Sequence, residues 1–155
     1  MPGHLQFRAF NLTLQPEINS MKRLFSIKYS DNAVSFSALL LRVALGALML
    51  PHGFGKLMNF ATNSGKFFDP FHIGSTASLS LSIFAEVFCA AFIILGLFTR
   101  FACIPLIVDM TVALWYAHHW QVFGDGEKVS LFLAGFLALL FMGPGKLSLD
   151  RFIGK

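Results

Sequence analysis

The chain has 155 residues, 55% of them hydrophobic and 13% charged, with a mean hydropathy of +0.67. Soluble domains carry about twice that share of charge, and 19 phenylalanines on a chain of this size would leave a water-exposed surface prone to aggregate; the composition points to a membrane protein. The net charge of +4 comes without a basic run or an aromatic-interleaved basic patch, so it argues against nucleic acid as a partner and reads instead as a set of topology signals.

Residues 1–30 read as an N-terminal extension, disordered or the product of a misplaced start, because "QPEINS" leads into "MKRLF", a plausible start in its own right. No secretory signal with a small-residue cleavage site precedes the first apolar segment. Residues 31–155 then hold four apolar segments, approximately Val34 to Met58, Ala77 to Phe98, Phe101 to Trp120 and Val129 to Gly143. Each is near the roughly 20 residues that a helix needs to cross the hydrocarbon, the last being short. The expected fold is all-α: an integral membrane antiparallel four-helix bundle with up-down-up-down connections.

Between the first two segments, "NFATNSGKFFDPFHIGST" is rich in turn residues, and its Phe67, Phe68 and Phe71 suit an interface, as a short re-entrant or surface helix. The second connection is read as Thr99 and Arg100 alone, with Thr99 capping the third helix and Arg100 anchoring at phosphates. Gly-Asp-Gly marks the third connection, and Glu127 suits the positive end of the fourth helix. Lys22, Arg23, Lys28, Arg100, Lys146, Arg151 and Lys155 fall on one side, against Lys56, Lys66 and Lys128 on the other, which predicts that both termini are cytoplasmic.

Arg42, Glu86 and Asp109 lie deep in the predicted spans, where exposure to lipid would cost about 2.5 to 3.5 kcal/mol each. They are expected to face inward. On the first helix Lys56 falls about 40° and His52 about 80° round from Arg42, with Gly46 and Gly53 in the same sector. This small, basic face is expected to admit a neighbouring helix and to meet acids on the others. Depth along the spans pairs Arg42 with Asp109, and Glu86 with His52. Pro105, Ala113, Tyr116 and Trp120 share the face of Asp109. The candidate buried network is thus Arg42, His52, Lys56, Glu86 and Asp109, either fixing helix register or carrying protons.

Tyr116, His118 and His119 form a second candidate site at the outer end of the third helix, where an interfacial belt accounts for them more simply than ligation does. His52 with His119 could serve as a bis-histidine haem pair, but no further spacing supports haem, and no metal-ligand pattern is present. Cys89 and Cys103 make no Cys-x-x-Cys and read as small core residues.

Several blocks carry a resemblance. "LLLRVALGALMLPHGFGKLMNF", "FAEVFCAAFIILGLFTRFACIPL" and "FGDGEKVSLFLAGFLALLFMGPGKLSLDRFIGK" together resemble the DoxX family of small bacterial inner-membrane proteins, over roughly Met21 to Lys155. The resemblance implies a four-helix protein of the bacterial inner membrane, associated with redox work and quinones. Arg42, His52, Lys56, Glu86, Thr99, Arg100, Glu127 and Asp150 match the family's motifs as positions, without roles. The favoured reading is a quinone-linked subunit or accessory protein, an oxidoreductase component acting with a redox partner if it is an enzyme at all. The alternatives are a small-solute or proton-coupled transport component, which would need homo-oligomers, and a membrane scaffold for a soluble enzyme.

Overall fold

A computed structural model describes residues 30–153, so the reading of residues 1–29 as an extension lies outside the described part. The helices are α1 (Asp31–Met58), α2 (Phe60–Asn63), α3 (Ser75–Leu95), α4 (Thr99–Tyr116), α5 (Glu127–Met142) and α6 (Asp150–Ile153). No strand occurs among the described residues. Helices α1, α3 and α4 are long and apolar enough to cross a membrane, with mean hydropathies of 2.0, 2.2 and 1.3. Helix α5 has 16 residues, about 24 Å of rise.

The helix ends follow from local chemistry. Gly96 takes the left-handed conformation (φ 70°) that ends α3, and Leu97 N–H reaches back to the Phe92 carbonyl at 2.9 Å, satisfying one orphan acceptor. Gly143 (φ 79°) ends α5 just before Pro144. The α3–α4 link is therefore Gly96 to Phe98, and Thr99 and Arg100 belong to the first turn of α4 instead of forming the connection. Helix α4 stops at Tyr116, because His119 (φ 45°) and Trp120 (φ 61°) adopt left-handed backbone that a right-handed helix cannot continue. Trp120 accordingly leaves the Asp109 face and stacks toward Trp115, 6.4 Å between ring centroids.

One core draws on all four longer helices: Met49 from α1; Ala85, Cys89, Ala90 and Ile93 from α3; Ala102, Cys103, Leu106 and Met110 from α4; Phe136 and Leu139 from α5. Helix α3 lies deepest, with 50% of its most apolar window buried against 28% in α1 and 33% in α4. Close approach of α1 to α3 depends on two glycines. A Cβ at Gly53 would lie 2.8 Å from Glu86 Cβ and 2.9 Å from the Glu86 carbonyl carbon, and one at Gly46 would strike Ile94. The expectation that these glycines admit a neighbouring helix is met.

Helix α3 is not uniform: Phe84–Cys89 is a π-helical turn between α-helical Ser75–Ile83 and Ala90–Leu95. A π turn widens the helix by one residue, shifts the phase of every later side chain, and occurs mostly at functional positions. Glu86 sits inside it.

Candidate functional site

The inward-facing charges divide into two groups, one around Arg42 near the middle of α1 and one around Lys56 at its C-terminal end. Arg42, 1% exposed, donates Nη1–H to the Pro144 carbonyl and Nη2–H to the Leu147 carbonyl, the latter at 2.7 Å. It is the anchor of a clasp. Gly96 packs directly on its guanidinium and on Ser148, leaving no room for a side chain, and Asp150 N–H donates to the Gly96 carbonyl at 2.9 Å. Asp150 in turn accepts from Phe98 N–H at 2.6 Å and Thr99 N–H at 2.9 Å, capping α4 from the far end of the chain. That bond pair also holds Phe98 in its left-handed conformation (φ 47°). Thr99 is therefore not the cap of α4. The segments around Arg42, Gly96 to Arg100 and Pro144 to Asp150 meet at this clasp through these bonds, while Arg42 Nε and Thr99 Oγ1 are buried there without a hydrogen-bond partner. Exposed Arg100 lies beside Gly143.

A rise of about 1.5 Å per residue puts Lys56 about 21 Å along α1 from Arg42. Here the second group assembles. Lys56 Nζ lies 2.9 Å from Glu86 Oε2 and donates to Ser82 Oγ at 2.7 Å. Asp109 from α4 completes it, lying beside Ser82 and Glu86 with its Oδ2 buried and without a hydrogen-bond partner. Three helices thus bring one ammonium, two carboxyls and a hydroxyl to one point inside an apolar core. The pairings expected from depth alone are corrected. Arg42 meets backbone carbonyls instead of Asp109, and Glu86 meets Lys56 instead of His52. His52 is exposed and packs edge-on to Phe132 of α5, with ring centroids 6.1 Å apart.

Above this cluster opens a cavity of about 600 Å³. Lys56, Ser82 and Asp109 form its polar floor, and its walls are almost wholly apolar, from Leu81 and Phe84 of α3 through Ile104, Pro105, Val108 and Tyr116 of α4. Pro105, Ala113 and Tyr116 line it beside Asp109, as the stripe on α4 predicted. The α2–α3 loop supplies Phe67, Phe68 and Phe71. These phenylalanines lie in irregular chain, not in a short interfacial helix; the one-turn α2 precedes them. Phe68 packs on Tyr116 with centroids 4.0 Å apart, and Lys56 Nζ lies 5.5 Å from the Phe67 centroid. Tyr116 therefore belongs to the cavity, whereas His118 and His119 fall in the turn beyond α4. No group of three or more His, Cys, Asp or Glu side chains suited to a metal occurs among the described residues.

Asp69 holds the loop in place. It accepts from Ile73 N–H at 3.0 Å, Gly74 N–H at 2.7 Å and the Ser78 hydroxyl at 2.8 Å. Desolvation works against its charged form, but the Ser78 hydroxyl, the two N–H groups and nearby His72 outweigh that and hold the carboxyl below its ordinary 3.8. A depressed acid stabilises its folded surroundings above the unfolded value and ceases to do so as pH falls through the lowered one. Amide-exchange protection at Ile73 and Gly74 is accordingly expected to persist as pH drops to about 4 and to vanish only below that, whereas Asp69→Ala removes it at every pH.

Comparison with known proteins fits this architecture. Residues 37–119 match the DoxX family. The chain belongs to the DoxX family. Lys56, Ser82, Glu86 and Asp109 lie inside the matched stretch, and the C-terminal half of the clasp lies beyond it. Among similar proteins, inner membrane protein YphA of Escherichia coli is 31% identical over 140 residues, 81% of this chain and 98% of its own length. An uncharacterised membrane protein of Mycobacterium tuberculosis is 28% identical over 134 residues, 77% and 82% of the two chains. An uncharacterised protein of Haemophilus influenzae is 32% identical over 102 residues, 62% and 67%. No solved structure matches the chain significantly. This DoxX protein is a multi-pass protein of the bacterial inner membrane, its apolar helices in contact with the lipid bilayer.

Ser82 is the member of the site that the sequence reading missed. Its signal was available, since Ser78, Ser82 and Glu86 recur every four residues and line up on one face of α3.

Proposed function

We propose that this DoxX protein binds a quinone-like amphiphile in the cavity and exchanges protons with it through Glu86 and Asp109, as the membrane part of a redox assembly. The observation that carries this reading is the pairing of an apolar cavity with a floor of convergent polar and ionisable groups, which is the usual make-up of a site for a largely apolar ligand with a polar head. Reduction of a quinone by two electrons adds two protons at its carbonyl oxygens. The electrons come from a partner's redox centre. The chain's own residues bind the ring and move protons: Lys56 and Ser82 donate hydrogen bonds toward a carbonyl oxygen, and the carboxyls relay protons. Two carboxyls side by side next to one ammonium give the relay a pair of oxygens through which the two protons pass in turn.

In this reading the longer helices form a four-span antiparallel bundle, with α5 as the short fourth span and both termini cytoplasmic. Support comes from the distribution of basic residues. Arg100, Lys146 and Arg151 share the clasp end of the molecule with the start of α1, where Lys146 Nζ donates to Asn32 at 3.2 Å, and Lys22, Arg23 and Lys28 precede it in sequence. This basic end is the cytoplasmic one by the positive-inside rule. The cavity then opens toward the outer leaflet.

Mass spectrometry of the mildly solubilised protein tests the function. A stoichiometric quinone is expected from wild type and its loss from Asp109→Asn; wild-type protein carrying phospholipid alone would refute the reading.

A further inference from the structure

Four residues of the cavity wall have two faces. Leu81 and Phe84 on α3, and Ile104 and Val108 on α4, line the cavity and are 57%, 45%, 51% and 46% exposed. All four sit within apolar spans, so the surface they show faces hydrocarbon. The cavity wall between α3 and α4 is therefore also the lipid-facing surface. The other side differs: the α2–α3 loop lines the cavity with Phe67, Phe68 and Phe71, and its own backbone is clamped by Asp69.

We infer that the gap between α3 and α4 is a lateral portal, through which the ligand enters from the bilayer and out of which its hydrocarbon tail projects when the head rests on Lys56, Ser82 and Asp109. The inference rests on the proposed function and adds the ligand's class: a lipid-dissolved molecule with a long hydrocarbon tail, not a compact water-soluble quinone. Entry from water would require the clamped loop to swing away, whereas entry from lipid requires only that apolar side chains part. An apolar tail lying among Leu81, Phe84, Ile104 and Val108 leaves no polar group unpaired. The cavity volume of about 600 Å³ falls in the range of pockets for drug-sized molecules, so a long-chain ligand fits only if its tail leaves through the wall.

The test compares two probes on the full chain in lipid nanodiscs: decylubiquinone, and the same dimethoxy-methyl-benzoquinone head without a tail. Wild-type protein is expected to hold the tailed probe at least tenfold more tightly at fixed lipid concentration. Val108→Trp and Leu81→Trp, which fill the gap from either side, are expected to cut that advantage to less than twofold. Leu48→Trp, on the exposed face of α1 and away from the cavity, keeps it. Thermal unfolding of each variant confirms that it is folded, and Ile104→Phe serves in place of a variant that is not. An advantage that survives both portal substitutions, or equal binding of the two probes to wild type, overturns the portal while leaving the quinone-like reading standing. Failure of both probes to bind wild type overturns the reading itself.

Discussion

Arg42→Ala is expected to lower the stability of the protein by about 3 to 5 kcal/mol, enough to drop the unfolding midpoint by about 10 °C. The guanidinium is buried, and its loss strands the carbonyls of Pro144 and Leu147 in an apolar interior. Each stranded acceptor costs about 1 to 3 kcal/mol, and the emptied volume adds to that. Arg42→Met retains most of the volume and isolates the hydrogen-bonding part, about 2 to 4 kcal/mol. Arg42→Lys restores less than half, since one ammonium does not match two separate carbonyls as a planar fork does. Because the clasp joins α1, the α3–α4 link and the C-terminal segment, proteolysis after Pro144 is expected to accelerate in the same order. Ligand binding per folded molecule stays near wild type, because Arg42 lies about 21 Å along α1 from Lys56.

Glu86→Gln and Asp109→Asn are expected to behave oppositely. Each keeps the side-chain shape and removes a proton-exchanging group, Asp109 from the cavity floor and Glu86 from directly behind it, so folding survives while quinone binding weakens. A hydrogen bond involving a charged group contributes about 1.5 to 3 kcal/mol, which corresponds to about 10- to 150-fold in affinity. Glu86→Gln also removes the acid nearest Lys56 Nζ, so Lys56→Met placed on the same background is expected to recover stability without recovering binding. Titration of decylubiquinone, read together with the unfolding midpoint, separates the two roles. Variants that unfold yet bind normally once folded would make the cluster a device for helix register.

The sequence revealed the three helices long and apolar enough to cross a membrane, the inward-facing acids and the small face of α1, because hydropathy and a 3.6-residue period report directly on what faces lipid. It also brought Arg42 and Asp150 forward as motif positions, without showing that they meet near one turn. The partners were hidden for identifiable reasons. Depth counting compared Arg42 with Asp109 along their helices but took no account of backbone carbonyls, and it is two carbonyls of the C-terminal segment that Arg42 engages. Asp150 caps a helix that begins some fifty residues earlier in the chain, a relation with no local signature. The π turn at Phe84–Cys89 alters the phase of α3 beyond Glu86 in the middle of an ordinary apolar run, and nothing in the local sequence announces it. The end of α4 was misplaced because His119 and Trp120 take a left-handed backbone that their residue types do not advertise.

Photolabelling with an azido-quinone of the full chain in native-like lipid tests most directly whether the cavity is the ligand's seat. Label concentrated on Leu81, Phe84 and the stretch from Ile104 to Tyr116, and displaced by excess decylubiquinone, is the expected result. Label spread evenly over Leu40, Leu48 and Phe141, exposed residues away from the cavity, and indifferent to competitor would contradict it.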